Sequence, residues 1–194
     1  MRALSVITLL AACVFPAGYA SASPPINISA EELQMLRTRA AQGNALAQNN
    51  LGLLYDLGDG VPQDYVVARQ WYEKAAAQSY AGAQYKLGQL YQFALGVPQN
   101  YAEATKWFEK AAAQGDAEAQ FSLGLMYAIG DGVPQDDVRA YMWWSLAVAH
   151  STDKRQKSTA TQRDGALTRR MTPAQIAEAQ RLAQQCEAQG LKGC

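Results

Sequence analysis

The chain repeats itself. Gly60-Val61-Pro62-Gln63 returns as Gly96-Val97-Pro98-Gln99 and as Gly132-Val133-Pro134-Gln135, each time 36 residues on. Leu51-Gly52, Tyr55, Ala68 and Trp71 keep the same step, through Leu87-Gly88, Tyr91, Ala104 and Trp107 to Leu123-Gly124, Tyr127, Ala140 and Trp143. Glu73-Lys74-Ala75-Ala76-Ala77-Gln78 comes back as Glu109-Lys110-Ala111-Ala112-Ala113-Gln114. A period of this length restricts the chain to a stack of like units. None of them can bury its apolar side alone, and neighbours supply the missing cover.

Each unit reads as two helices. The first is expected from Ala45 to Leu57, where Ala47, Leu51, Leu54 and Tyr55 fall at helical spacing. Gly58 and Gly60 end it, since a helix C-terminus favours a left-handed residue. Val61-Pro62 extends the chain, and Asp64 is placed to cap the second helix. Asn100 and Asp136 hold the same cap position. The second helix carries Ala68, Trp71, Tyr72, Ala75 and Ala76 on its inner side. Small residues such as Gly52, Ala68 and Ala75 let paired helices approach, and the tryptophans fill the space between successive pairs. Strand-like alternation is missing. The expected fold is all-α: an α/α solenoid, or superhelix, of antiparallel helix pairs with a concave face. Its units span 43–78, 79–114 and 115–150.

The flanks read as caps. Ser29-Ala30-Glu31-Glu32 fits a capping box opening a helix from Ala30 to Gln42, within an N-terminal capping segment 23–42. Ala40-Ala41-Gln42-Gly43 aligns with Ala76-Ala77-Gln78-Ser79, which makes that segment a half-repeat. Residues 151–194 form a C-terminal helical cap and tail. Ser151 to Arg170 are polar and basic, and read as a solvated helix face or linker. Thr172-Pro173-Ala174-Gln175 opens a last helix with Ile176, Ala179, Leu182, Ala183 and Cys186 on one face.

Residues 1–22 read as an export signal: Met1-Arg2, an apolar run from Ala3 to Phe15, then Ala20-Ser21-Ala22 for cleavage after Ala20 or Ala22. The apolar run is too short for a membrane span, so the mature chain carries no transmembrane segment. A rival reading takes Leu10-Ala11-Ala12-Cys13 as a lipobox with a lipid anchor on Cys13; ordinary cleavage is preferred. The expected location is periplasmic or secreted, in a bacterial envelope.

The pattern A-x-A-Q-x-x-L-G-x-x-Y, then G-x-G-V-P-Q-D, then A-x-x-W-x-x-x-A-A resembles the Sel-1-like repeat, a relative of the tetratricopeptide repeat. The resemblance covers 43–150. It implies an α/α solenoid acting as an adaptor or scaffold for protein complexes. Unit 2 departs from it, with Ala94 and Leu95 where unit 1 has Gly58 and Asp59, which leaves the loop shape open. In such stacks the first helix of each pair lines the concave face. That places Asn49, Leu53 and Asp56, then Tyr85, Gln89 and Gln92, then Phe121, Leu125 and Ala128 in the groove. The mixture of aromatic, aliphatic and amide side chains suits an extended protein or peptide partner. The competing reading packs Tyr85 and Phe121 between units.

Composition narrows the rest. Seventeen Lys+Arg balance seventeen Asp+Glu, which argues against a general nucleic-acid binder. The single histidine, His150, excludes a multi-histidine metal site, and no nucleophile and acid accompany it. Asp56-Leu57-Gly58-Asp59-Gly60 lacks the ligand alternation of a calcium loop and reads as a turn. No catalytic residue, metal or cofactor is expected. Cys186 and Cys194, in an exported protein, are expected to form a disulfide, with a buried free thiol at Cys186 as the alternative. Two rivals stand beside the scaffold. Some exported cysteine-rich relatives are linked to β-lactam binding or hydrolysis, but carry a cysteine pair per repeat, and 43–150 contain none. Trp143, Trp144 and Tyr141 could bind cell-wall glycan, although core packing is preferred.

Overall fold

The computed structural model describes residues 28–192 and Cys194. The expected leader, its cleavage site and Cys13 lie outside these residues. The described residues form nine helices and no strand: α1 (Ala30–Ala41), α2 (Ala45–Leu57), α3 (Tyr65–Ala77), α4 (Ala81–Gln92), α5 (Tyr101–Ala112), α6 (Ala117–Ile129), α7 (Asp137–His150), α8 (Lys154–Thr168) and α9 (Pro173–Ala188). Helices α2 and α3, α4 and α5, and α6 and α7 pack as pairs. Helix α3 then meets α4, α5 meets α6, α1 covers α2, and α7 carries both α8 and α9. This is an all-α solenoid.

The repeated loop is explained residue by residue. Gly58 closes α2 in the left-handed region at φ 72°, and Gly130 closes α6 at φ 82°. Ala94 takes the same left-handed turn at φ 57°, so the loop of unit 2 keeps its shape despite the Cβ. Its Leu95 N–H still reaches back to Leu90 O, as Asp59 N–H does to Leu54 O. The glutamine of Val-Pro-Gln then caps the helix just finished. Gln63 Nε2 donates to Asp56 O at 2.7 Å, Gln99 to Gln92 O at 2.9 Å and Gln135 to Ala128 O at 3.0 Å. These carbonyls have no partner inside their own helix. Asp64, Asn100 and Asp136 accept from the first turns of α3, α5 and α7.

Inside each pair the inner glycine is the seat of an aromatic ring. A Cβ on Gly52 would stand 2.7 Å from Tyr72; on Gly88 or Gly124 it would fall inside the ring of Phe108 or Trp144. Tyr72, Phe108 and Trp144 are all buried and lie one period apart. Trp71 and Trp107 instead lean, half-buried, on the core shared by their own unit's first helix and the helix before it, each under a lysine ammonium, Lys74 at 4.0 Å and Lys110 at 3.9 Å. Trp143 is buried in the core that α6 and α7 share with the C-terminal helices.

Buried amides tie consecutive helices together. Gln48, Gln84 and Gln120 donate to Ala40 O, Ala76 O and Ala112 O, in the last turn of the preceding helix. Their own oxygens are met by Gln78 and Gln114 Nε2, both at 2.7 Å, and by His150 Nδ1 at 3.0 Å. His150 therefore stands in the place of Gln78 and Gln114. With Gln120 Nε2 donating, its Oε1 accepts, so the imidazole proton on this contact sits on Nδ1.

The stretch 151–170, read as solvated helix face or linker, is mostly the helix α8, capped by Asp153 and anchored by buried Ala160 and Leu167. Helix α9 opens with its Thr172–Gln175 capping box and buries Ala179, Ala183 and Cys186. Cys186 and Cys194 are joined in a disulfide. At the other end, Met35 of α1 holds the place that tryptophan holds in α3, α5 and α7, and is 55% exposed.

Candidate functional interface

Helices α2, α4 and α6 lie side by side. Gln92 of α4 reaches the Met126 sulfur of α6, and the Asn49 amide of α2 lies close to Gly82 of α4. The nine residues assigned to the groove, Asn49, Leu53, Asp56, Tyr85, Gln89, Gln92, Phe121, Leu125 and Ala128, sit on these three helices, and every one is half-buried. Their spacing of three and four residues gathers them on one side of each helix.

Tyr85 and Phe121 do two things at once. The Tyr85 ring lies 5.8 Å from that of Phe108, and the Phe121 ring 6.4 Å from that of Trp144. Each thereby backs the ring seated on the inner glycine of its own unit, a packing role within a unit rather than the between-unit one weighed for them. Their outer sides still reach the surface: the Tyr85 hydroxyl accepts from Gln89 Nε2 at 2.8 Å. The Arg163 guanidinium of α8 stands 5.8 Å from the Phe121 ring and 6.0 Å from that of Trp144. The Trp144 N–H donates to Phe121 O at 3.1 Å.

Charge on this side is unbalanced. Lys86 donates to Gln89 Oε1 at 3.1 Å and draws down both Asp56 and Glu118. Even so, lost hydration holds Asp56 above the usual carboxylate range, against Lys86 and the Tyr72 hydroxyl that donates to it at 3.0 Å. Asp116 is also raised by burial. Glu118 is raised by lost hydration first, then by the carboxylates of Asp116 and Asp153. Burial and the carboxylates of Glu118 and Asp116 also push the Tyr85 hydroxyl up. Asp56 and Glu118 thus share one lysine, with the carboxylates of Asp116 and Asp153 close enough to raise Glu118. Lys86, Glu118 and Arg163 were missed from sequence, because they lie beside the positions that a repeat template supplies.

Trp143 and Trp144 are buried, at 4% and 3% exposure. They offer no ring face for a sugar to stack on, which leaves the glycan reading only the half-buried Tyr141. Among the described residues no helix is long and apolar enough to cross a membrane.

The Sel1 repeat model matches residues 45–80, 81–116 and 117–151, more than half the chain. The chain belongs to the Sel1 repeat family. Sel1 repeat proteins generally serve as scaffolds for protein–protein interaction. No curated protein matches the chain. Among solved structures it is similar to a Sel1 repeat protein from Oxalobacter formigenes, at 38% identity and a TM-score of 0.62, over 67% of this chain and 51% of that one. It is also similar to c5321, described as a protective antigen of uropathogenic Escherichia coli strains with the same repeat fold. There the identity is 27% and the TM-score 0.56, over 83% of this chain and 42% of that one. The chain thus spans about half the length of these Sel1 repeat proteins or less.

Proposed function

We propose that this Sel1 repeat protein is an exported, non-enzymatic scaffold of the bacterial envelope, periplasmic or secreted. It captures an extended segment of a partner protein on the side formed by α2, α4 and α6. The observation that carries the reading is the row of nine half-buried side chains spanning three consecutive units. Half-buried aromatics and aliphatics give a partner's side chains apolar contact, and Gln89 and Gln92 can satisfy its backbone. Export rests on the leader-like residues 1–22.

The test is in-cell crosslinking from a photo-reactive residue at position 89, with position 70, exposed on α3, as the control. A partner captured from 89 and not from 70 supports the reading; equal capture, or none from 89, overturns it. The variant Tyr85→Ala with Phe121→Ala is expected to lose that partner while still folding cooperatively. Fractionation checks the location: mature protein shortened by the leader and released from the envelope is expected, and full-length protein in the cytoplasm is the contrary result.

A further inference from the structure

Large apolar side chains exposed singly are ordinary on a protein surface. Three of those here are not single. Leu57, Phe93 and Ile129 are 59%, 49% and 46% exposed, and they lie one period apart, each at the outer end of the first helix of its unit. The other exposed large apolar residues have no such series. Leu46 corresponds to Gly82 and Glu118, and Val66 to Ala102 and Val138. The three are also continuous with the row described above. Each stands four residues beyond a groove residue, namely Leu53, Gln89 and Leu125, and so on the same side of its helix. The side chains run Asn49–Leu53–Leu57, Tyr85–Gln89–Phe93 and Phe121–Leu125–Ile129.

We infer that Leu57, Phe93 and Ile129 form an apolar rim to the partner-binding side, and that the segment seated there is both apolar and cationic, a stretch of protein alternating aliphatic residues with lysine or arginine. This rests on the groove reading and adds the chemistry of its occupant. A ladder of one exposed apolar group per unit repeats along the array, as the side chains of an extended segment repeat along its own axis. The sign of the charge follows from the groups nearby. Asp56 and Glu118 share one lysine, Lys86, and the carboxylates of Asp116 and Asp153 act on Glu118 as well. Lys86 is already engaged by Gln89 and shared between Asp56 and Glu118. Arg163 lies against the Phe121 and Trp144 rings. Arg170, which reaches the end of α6, is paired with Asp137 at 2.6 Å. A cationic segment would compensate carboxylates that the fold holds with too little positive charge, and an acidic one would meet repulsion.

The test uses three labelled synthetic peptides of equal length, alternating leucine with lysine, leucine with glutamate, and serine with lysine. Binding is followed by fluorescence anisotropy at physiological salt. The leucine–lysine peptide is expected to bind about tenfold more tightly than either of the others, since both the apolar and the charged halves are needed. Leu57→Ser, Phe93→Ser and Ile129→Ser combined should weaken it about tenfold or more. Met35→Ser, at an exposed apolar site on the far end, should leave it unchanged. Asp56→Asn with Glu118→Gln should erase the preference for lysine over glutamate. Equal binding of the two leucine peptides, or a triple serine variant that binds like the parent, overturns the inference. Tyr85→Ala with Phe121→Ala separates the two readings. If it abolishes binding while the triple serine variant does not, the groove stands and the rim falls. If it weakens no peptide, the groove reading itself has failed.

Discussion

In the repeat units the buried amides of Gln48, Gln84 and Gln120 each donate to the last turn of the preceding helix and accept from a side chain one helix on. On α8, Gln156 Nε2 and Asp164 Oδ1 are shielded from water and have no hydrogen-bond partner. Both regions are helical, and α8 shares one core with the third unit. The difference is that a unit meets its neighbour through one arrangement used repeatedly, in which the glutamine's partners come from the last turn of the preceding helix and the end of its own unit's second helix. Helix α8 meets the array once, with no template to supply partners. Burial without compensation is costly; the repeated glutamine avoids that cost, whereas α8 bears it at two atoms and the repeats bear it only off that template, at Asn49 Oδ1, Arg69 Nε and Trp107 Nε1.

The comparison can be broken most forcefully at the glycine seats. Phe108→Ala empties a fully buried ring site and should cost about 3–5 kcal/mol in urea unfolding. Gly88→Ala pushes a methyl group into the same ring and should cost about 1–3 kcal/mol. Because the two changes act on one cavity, the double variant should lose clearly less than the sum of the two. Strict additivity would mean that the ring and the glycine are not partners.

The next effect sharpens the α8 side. Burial pushes the Asp164 carboxyl up to about 7. A folded value above the unfolded one, roughly 3.9, means that the native state binds the extra proton. Its contribution is therefore most favourable below about pH 4 and is lost as pH rises through about 7. Asp164→Asn should raise stability at pH 8 and flatten the decline between those limits. Asp56, Asp116 and Glu118, raised in the same direction, leave part of the slope in place. A steeper decline in the variant would refute this account. The smallest effect is expected at His150→Gln, which restores the residue that the other two units carry. Thermal unfolding should move by less than about 0.5 kcal/mol, while His150→Ala, which strips Gln120 of its partner, should cost more.

What was legible in the sequence follows the same division. Identity at a fixed step exposed Gly52, Ala68, Trp71 and the Val-Pro-Gln loop, and with them the helix pairs and their caps. The ring seat was passed over because its occupant changes, from Tyr72 to Phe108 to Trp144. The shape is kept and the letter is not. His150 hid for the same reason, reading as a lone histidine at a helix end when its position, one period after Gln114, defined its partner. Leu57, Phe93 and Ile129 also vary in letter at constant character. Residues 151–170 gave no period at all, and their polar composition left helix and linker open. For the groove residues, the choice of positions on the first helices came from the resemblance to tetratricopeptide-like stacks, and all nine are half-buried. The charges beside them, Lys86, Glu118 and Arg163, were not, because they come from positions that the units do not share.

The half-repeat α1 has a consequence for how long such an array can grow. Where later units bury Ala68 and Ala75, α1 has Glu32 and Arg39, both exposed, and so offers no dry surface to a preceding pair of helices. Everything between α1 and α7 is interchangeable in principle, since each junction reuses the same glutamine and each pair seats an aromatic ring on its inner glycine. The number of modules is thus decided by the terminal pieces that stop further stacking, and duplicating an interior 36-residue cassette would lengthen the rod without asking any existing junction to change.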